Sequence, residues 1–140
     1  MSDRSAAAGY SGKPLSQKLG LKPGLRVRLY QVPDNYAELI AFDLDSCRLL
    51  VRAGEFDFGH AFVRSRAQLA QALEALDGQM HDKGMLWISW PKKASKIPCD
   101  MTEDSVRELA LPRGLVDTKV CAVDATWSGL KLVRRLSERA

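Results

Sequence analysis

The residues best suited to chemistry come directly after the predicted β-strands of this sequence. Arg64 and Ser65 follow one predicted strand, and three lysines follow another. Asp124 ends a further predicted strand, with Trp127 close behind it. In open α/β sheets, ligands bind outside the carboxyl ends of the strands. The sequence therefore predicts a binding site formed by Arg64, Ser65, Lys92, Lys93, Lys96, Asp124 and Trp127, with Asp34, Asn35, Arg66, Trp90 and Thr126 at the same edge.

These residue types point to an anionic ligand. Arg64 and the lysines could bind an anion beside the free backbone amides of a helix that Ser65 begins. Trp127 could stack on a planar group. The alternative is purely structural, since lysine loops are usually solvated and Trp127 could simply cover an exposed end of the sheet.

The usual nucleotide motifs are missing. The first strand-to-helix turn, QVPDNY at 31–36, has no glycine, and Pro33 removes a backbone donor. A dinucleotide site needs glycines there so that the backbone can approach phosphate. The next predicted strand ends in Arg52 instead of an acid, and Glu55 and Asp57 are poorly placed to replace it. We therefore predict no nicotinamide or S-adenosylmethionine cofactor.

Metal ligands are too few and too scattered for a zinc site. The chain has two histidines and three cysteines, and no CxxC spacing. His60 lies among phenylalanines in a predicted strand and is predicted to be a bonded core histidine. Cys47 and Cys121 lie in apolar stretches and are predicted to be small core residues. The sequence predicts no metal.

Length and composition indicate one globular domain. The 140 residues are 46% apolar and 27% charged, and no apolar run approaches the roughly 20 residues that span a bilayer. A net charge of +4 permits anionic partners without demanding them. The N-terminus lacks the features of a signal peptide, so a cytoplasmic protein is expected. We predict a flexible N-terminus at 1–10 and a single α/β domain at 11–140.

The hydrophobic pattern predicts strands that alternate with helices. Predicted helices begin near Ser11, Asn35 and Ser65, and at Asp100 or Thr102. The predicted strands are 25–31, 48–52, 58–63, 85–90, 118–124 and 130–136. This order is typical of a three-layer Rossmann-like α/β fold, with a mixed, mostly parallel sheet and a C-terminal antiparallel hairpin. The pairing of 48–52 is left open between an extended parallel connection and an antiparallel hairpin with 58–63.

Several segments together resemble a bacterial family catalogued as domain of unknown function 3052. They are YSGKPLSQKLGLKPG at 10–24, FVRS at 62–65, WPKKAS at 90–95, DMTED at 100–104 and GLVDTKVCAVDATWSGLKLV at 114–133. That resemblance implies no activity, ligand or catalytic residue. The segment LGLKPGLRV at 19–27 also looks like the entry to the first strand of class I methyltransferases, but LYQVPDNY then departs from their glycine-rich loop. The likeness implies a shortened relative of that fold without the cofactor loop.

The sequence favours a small, non-enzymatic domain that binds an anionic small molecule or a partner protein at the strand ends. One alternative is an enzyme of unrecognised mechanism that uses Arg64, Lys92, Lys93 and Asp124. The other is a nucleic-acid accessory protein that uses the lysine loop and the basic C-terminal segment. The scattered charge disfavours a nucleic-acid partner, because such proteins usually concentrate their charge in a stripe. No membrane partner is expected.

Overall fold

A computed structural model describes residues 14–52 and 54–136 of the chain; the predicted flexible segment 1–10 and Ser11 lie outside them. Six strands form one sheet in the order β2-β1-β3-β4-β6-β5. The first four of these are parallel, and β6 pairs antiparallel with β4 and β5. This confirms the predicted mixed sheet. The strands are β1 (Arg26–Tyr30), β2 (Arg48–Leu49), β3 (Phe56–Phe62), β4 (Met80–Pro91), β5 (Leu115–Ala122) and β6 (Trp127–Arg134).

Four α-helices cover the two faces of this sheet. They are α1 (Leu15–Leu19), α2 (Tyr36–Ile40), α3 (Arg66–Leu76) and α4 (Glu103–Ala110). Leucines of α3 and Val106 of α4 pack against Leu86 and Ile88 on one face. The short helices α1 and α2 pack against Phe58 and Trp87 on the other. The alternation of side chains along each strand thus gives the sheet two separate cores.

The segment 48–52 forms a shorter strand than predicted. Only Arg48 and Leu49 pair, in parallel with β1, and β3 lies on the other side of β1. The hairpin alternative for 48–52 and 58–63 is therefore wrong, because β1 separates the two segments. The chain bends at Val51 and Arg52 after β2, and Val51 is 85% exposed there.

The predicted starts of α2, α3 and α4 agree with the structure, whereas α1 begins at Leu15 with Pro14 at its N-cap, so the start predicted near Ser11 is wrong. Ser65 caps α3 by accepting a hydrogen bond from the amide of Gln68 at 3.1 Å, but the Gln68 side chain returns to the amide of Arg64 instead of Ser65. Thr102 caps α4 through a reciprocal pair of bonds with Ser105. The capping box predicted at Asn35 is wrong, since the Asn35 side chain makes no capping bond.

The predicted bounds of β4, β5 and β6 begin too late. β4 starts at Met80, five residues before the predicted apolar run, because Met80 already pairs with Phe56 before a register shift that brings Met85 opposite Phe58. A Cβ atom at Gly84 would come within 3.1 Å of three backbone oxygens, so glycine suits this close approach and a larger residue would require the backbone to shift slightly. β5 and β6 each begin three residues before their predicted starts.

Within the residues that the structure describes, no helix is both long and apolar enough to cross a membrane.

Candidate functional site

A crevice of about 510 Å³ opens at the carboxyl ends of β1 and β3. The chain leaves β1 towards β2 on one side, while β3 lies on the other side of β1. This divergence makes the crevice a topological switch point, which is where open α/β sheets bind ligands. Its lining comes from the end of β1, the end of β3, one side of α3 and the start of β6: residues 30–34, 62–64, Gln68, Gln71 and Trp127.

Arg64 and Trp127 form the chemical centre of this crevice. The guanidinium carbon of Arg64 lies 6.0 Å from the centroid of the Trp127 ring. The edge of the Trp127 ring meets Phe62 with the centroids 4.9 Å apart, so the indole is held from one side. A cation beside an aromatic face suits a ligand that combines a planar ring with negative charge.

Asp124 holds the turn that places Trp127. One of its carboxylate oxygens accepts hydrogen bonds from the amides of Thr126 at 2.8 Å and Trp127 at 2.7 Å. Asp124 does not line the crevice. Its observed contacts are those of a residue that positions the indole.

The predicted lysines line a different cavity. Lys92, Lys93 and Lys96 border a space of about 460 Å³ that shares no lining residue with the crevice. The two spaces are linked by backbone, since the amide of Lys92 donates to the carbonyl of Thr126 at 2.8 Å. The structure therefore brings Arg64 and Trp127 together, groups the three lysines separately, and places Ser65 at the start of α3.

Two of the N-terminal amides of α3 are already bonded. The amide of Arg66 donates to a carboxylate oxygen of Asp100 at 2.9 Å, and the amide of Gln68 donates to Ser65. The expectation of free amides is therefore wrong for Arg66 and Gln68, because Asp100 and Ser65 accept their hydrogen bonds. No local sequence pattern indicates this contact, which joins residues 34 positions apart.

Residues that the sequence analysis did not select also line the crevice. Gln68 and Gln71 lie on the polar side of α3 that faces the crevice. Their spacing of three residues puts them on one helix face, and this is the sequence signal that could have identified them. Gln31 adopts a left-handed backbone conformation, with φ at 57°, directly after β1. Such strain in a residue other than glycine is common at ligand-binding turns.

A bonded histidine lies below the crevice. His60 is fully buried; its Nδ1 lies 2.8 Å from the Tyr36 hydroxyl and its Nε2 lies 2.8 Å from the Ser89 hydroxyl. Its ring stacks on Phe62 with the centroids 4.5 Å apart. Burial lowers the pKa of His60 to about 3, so the ring is neutral at pH 7. These contacts confirm the predicted core histidine. Separately, the described residues hold no group of three or more side chains that could bind a metal ion.

Comparison with solved structures places this architecture among known folds. The chain resembles a putative type 11 methyltransferase from Sulfolobus solfataricus, with 16% identity, a TM-score of 0.57, and coverage of 90% of this chain and 92% of the other. It also resembles the ribosomal protein L11 methylase from Lactobacillus delbrueckii subsp. bulgaricus, with 13% identity, a TM-score of 0.57, and coverage of 85% and 74%. The chain therefore shares a Rossmann-like α/β fold with these structures.

A third similar structure is described only by its superfamily. It is a protein of the NADB-Rossmann superfamily from Streptococcus agalactiae, with 9% identity, a TM-score of 0.53, and coverage of 94% of this chain and 72% of the other. No protein-family model and no curated protein matches the sequence. The resemblance to the domain of unknown function 3052 therefore stays a prediction.

The residues at the strand ends do not fit S-adenosylmethionine. The turn after β1 keeps Pro33 and offers no glycine, and β2 is followed by Leu50, Val51 and Arg52 instead of an acid. The next two acids along the chain lie at the opposite, amino ends of the parallel strands. There Asp57 and Glu55 bind the guanidinium of Arg26 at 2.9 and 3.2 Å.

Proposed function

We propose that this protein binds a small anionic molecule with a planar ring in the crevice between β1 and β3. The observation that carries the proposal is the pairing of Arg64 with Trp127 inside a switch-point crevice. Trp127 would stack on the ring, Arg64 would neutralise the charge, and the Gln71 amide would donate or accept hydrogen bonds at the wall. We further propose a cytoplasmic location for the protein.

Three probes separate the contributions of ring and charge. Adenosine monophosphate carries both, adenosine carries only the ring, and inorganic phosphate carries only the charge. Ligand that binds the native state raises the melting temperature. We expect the largest rise with adenosine monophosphate, and we expect Arg64→Gln and Trp127→Ala each to remove most of it. Arg48→Gln, an exposed arginine on β2, is the control and should behave as wild type. Equal shifts in all four proteins would refute the proposal.

The lysine cavity gives a second prediction. Lys92→Ala combined with Lys93→Ala should change the free energy of unfolding by less than ~1 kcal/mol, because solvated lysines stabilise a fold only weakly. The same double variant should lose any stabilisation that sulfate gives to the wild type, because sulfate needs no ring and the lysines supply the local positive charge. The measurement is the melting temperature with and without sulfate. A sulfate-induced rise of the same size in both proteins would show that this loop is merely solvated.

A cofactor prediction follows from the turn after β1. We expect no binding of S-adenosylmethionine or of nicotinamide adenine dinucleotide at physiological concentrations, because the backbone around Pro33 cannot approach phosphate or ribose as glycine does. Isothermal titration calorimetry of the wild type measures this directly. A micromolar dissociation constant for either cofactor would overturn the prediction.

An enzyme acting on a molecule bound in this crevice is the second candidate. The likeness to methyltransferase folds favours it and gives no support to a purely non-enzymatic domain. The candidate residues are Arg64, Lys92, Lys93 and Asp124. Asp124 already accepts hydrogen bonds from two backbone amides. Of the four candidate residues, Arg64 lines the crevice. Turnover of a bound compound that is lost in Arg64→Gln would favour the enzyme.

A further inference from the structure

A carboxylate without a partner lines the same crevice as Arg64. Asp34 is exposed and lies in the turn after β1, which forms one wall of the crevice. Within the described residues, the Asp34 side chain has neither a hydrogen-bond partner nor an ion-pair partner. Its negative charge is therefore available to a ligand that enters the crevice.

The crevice thus presents two opposite charges that do not neutralise each other. The guanidinium of Arg64 lies beside the Trp127 ring and, in the part of the chain that the structure describes, makes no ion pair with Asp34 or with any other acid. An anion alone would compensate Arg64 and leave Asp34 without a partner. A ligand that carries an anionic group and a separate hydrogen-bond donor complements both side chains.

The sheet order places Asp34 and Trp127 on different sides of the crevice. β1 lies on one side of β3, while β4 and then β6 lie on the other. The turn that contains Asp34 follows β1, whereas Trp127 begins β6 and meets Phe62, the last residue of β3, with the ring centroids 4.9 Å apart. A ring stacked on Trp127 would therefore have the wall that contains Asp34 on its far side.

The chemistry of a carboxylate decides which ligand group suits Asp34. An ionised carboxylate accepts hydrogen bonds and cannot donate them, so it repels a carbonyl or a phosphate oxygen. An amine donates two or three N–H groups, and a charged amine also compensates the carboxylate. We propose that Asp34 binds an amine of the ligand whose ring and anionic group lie at Trp127 and Arg64. This inference rests on the proposed function and narrows its ligand class to aromatic compounds with both an anion and an amine.

Two matched pairs of compounds test this contact by isothermal titration calorimetry. Tryptophan and indole-3-propionate share a ring and a carboxylate, but only tryptophan has an ammonium group. Adenosine monophosphate and purine riboside 5′-monophosphate share ring, ribose and phosphate, but only the former has a ring amine. We expect the amine to strengthen binding at least about fivefold in one pair, less than a buried hydrogen bond to a charged group would give because Asp34 is exposed. The pair that responds identifies the source of the amine.

Variants assign this preference to Asp34. Asp34→Asn should reduce the preference for the amine to within about twofold, because an amide both donates and accepts hydrogen bonds. Asp45→Asn removes an exposed carboxylate that does not line the crevice, so this control should keep the wild-type preference. Arg64→Gln should weaken both members of the responding pair by a similar factor and leave their ratio unchanged.

Failure of this inference is distinguishable from failure of the proposed function. Equal binding within both pairs, or a preference that Asp34→Asn keeps, would overturn the role of Asp34. If Arg64→Gln still weakens binding in that case, the proposed function stands. Absence of binding by all four compounds would overturn both proposals together. Unchanged melting temperatures without ligand show that the variants are folded.

Discussion

Replacing Trp87 with alanine is expected to lower the free energy of unfolding by ~3–5 kcal/mol. Trp87 has no exposed surface and lies in β4, with β3 on one side and β6 on the other. Its ring packs in the core that includes Leu19 and Phe58. Its indole nitrogen also donates to the carbonyl of Leu19 at 2.8 Å, which ties α1 to the sheet. The substitution therefore leaves a large cavity and an unpaired carbonyl in the same place.

Urea denaturation followed by circular dichroism measures this loss. Trp127→Ala is the matched control, because it removes the same side chain from a half-buried position at the start of β6. It should cost clearly less than Trp87→Ala, since surface substitutions seldom exceed ~1 kcal/mol. A loss below ~1 kcal/mol for Trp87→Ala would mean that this tryptophan does not hold the centre of the sheet.

The elements predicted best from sequence are those whose pattern is local. The uninterrupted run MLWISW can only be a strand covered on both faces, and it lies at the centre of the sheet. Leu69, Leu73 and Leu76 recur at helical spacing, and all three are fully buried on α3. Gly20 ends α1 with φ at 88°, as its position after the helix predicted. Neighbouring residues carry enough information for such assignments.

What the sequence could not give depends on contacts between distant segments. The pairing of Arg48 with Arg26 joins residues 22 positions apart, and no local pattern selects β1 over β3 as the partner. The same limit applies to the site. The binding role of the residues selected from the sequence stays a prediction, and the separation of Arg64 and Trp127 from the three lysines depends on how two loops fold in space. The contact of Asp100 with the start of α3 is the clearest case. Its carboxylate, from another loop, accepts the hydrogen bond of the Arg66 amide where an external anion was expected.

Acid should destabilise this protein through His60 at pH values well above those at which most carboxylates titrate. The unfolded chain takes up a proton on His60 near pH 6.5, whereas the buried ring in the folded protein does so only near pH 3. Between these two values the unfolded state binds more protons than the folded state. Stability from neutral His60 is therefore fully present above pH 6.5 and is lost as the pH falls towards 3.

The expected loss from this residue is ~1.4 kcal/mol per pH unit inside that window, or about 3 kcal/mol between pH 6.5 and pH 4. Urea denaturation at pH 7, 6, 5 and 4 measures the wild type beside His60→Gln, whose amide can still bond to Tyr36 and Ser89. Titration of the carboxylates, including Asp57 with its pKa lowered by Arg26, is common to both proteins and cancels in the comparison.

The difference between the two proteins should therefore shrink as the pH falls, because only the wild type must bury a neutral ring that the unfolded chain would protonate. If His60→Gln is too unstable to study, the ring-proton signals of the two histidines give the same answer by nuclear magnetic resonance, with His81→Gln assigning them. A His60 signal that titrates between pH 5 and 7 would show that water reaches the ring, and that the bonds to Tyr36 and Ser89 do not hold it neutral below the crevice.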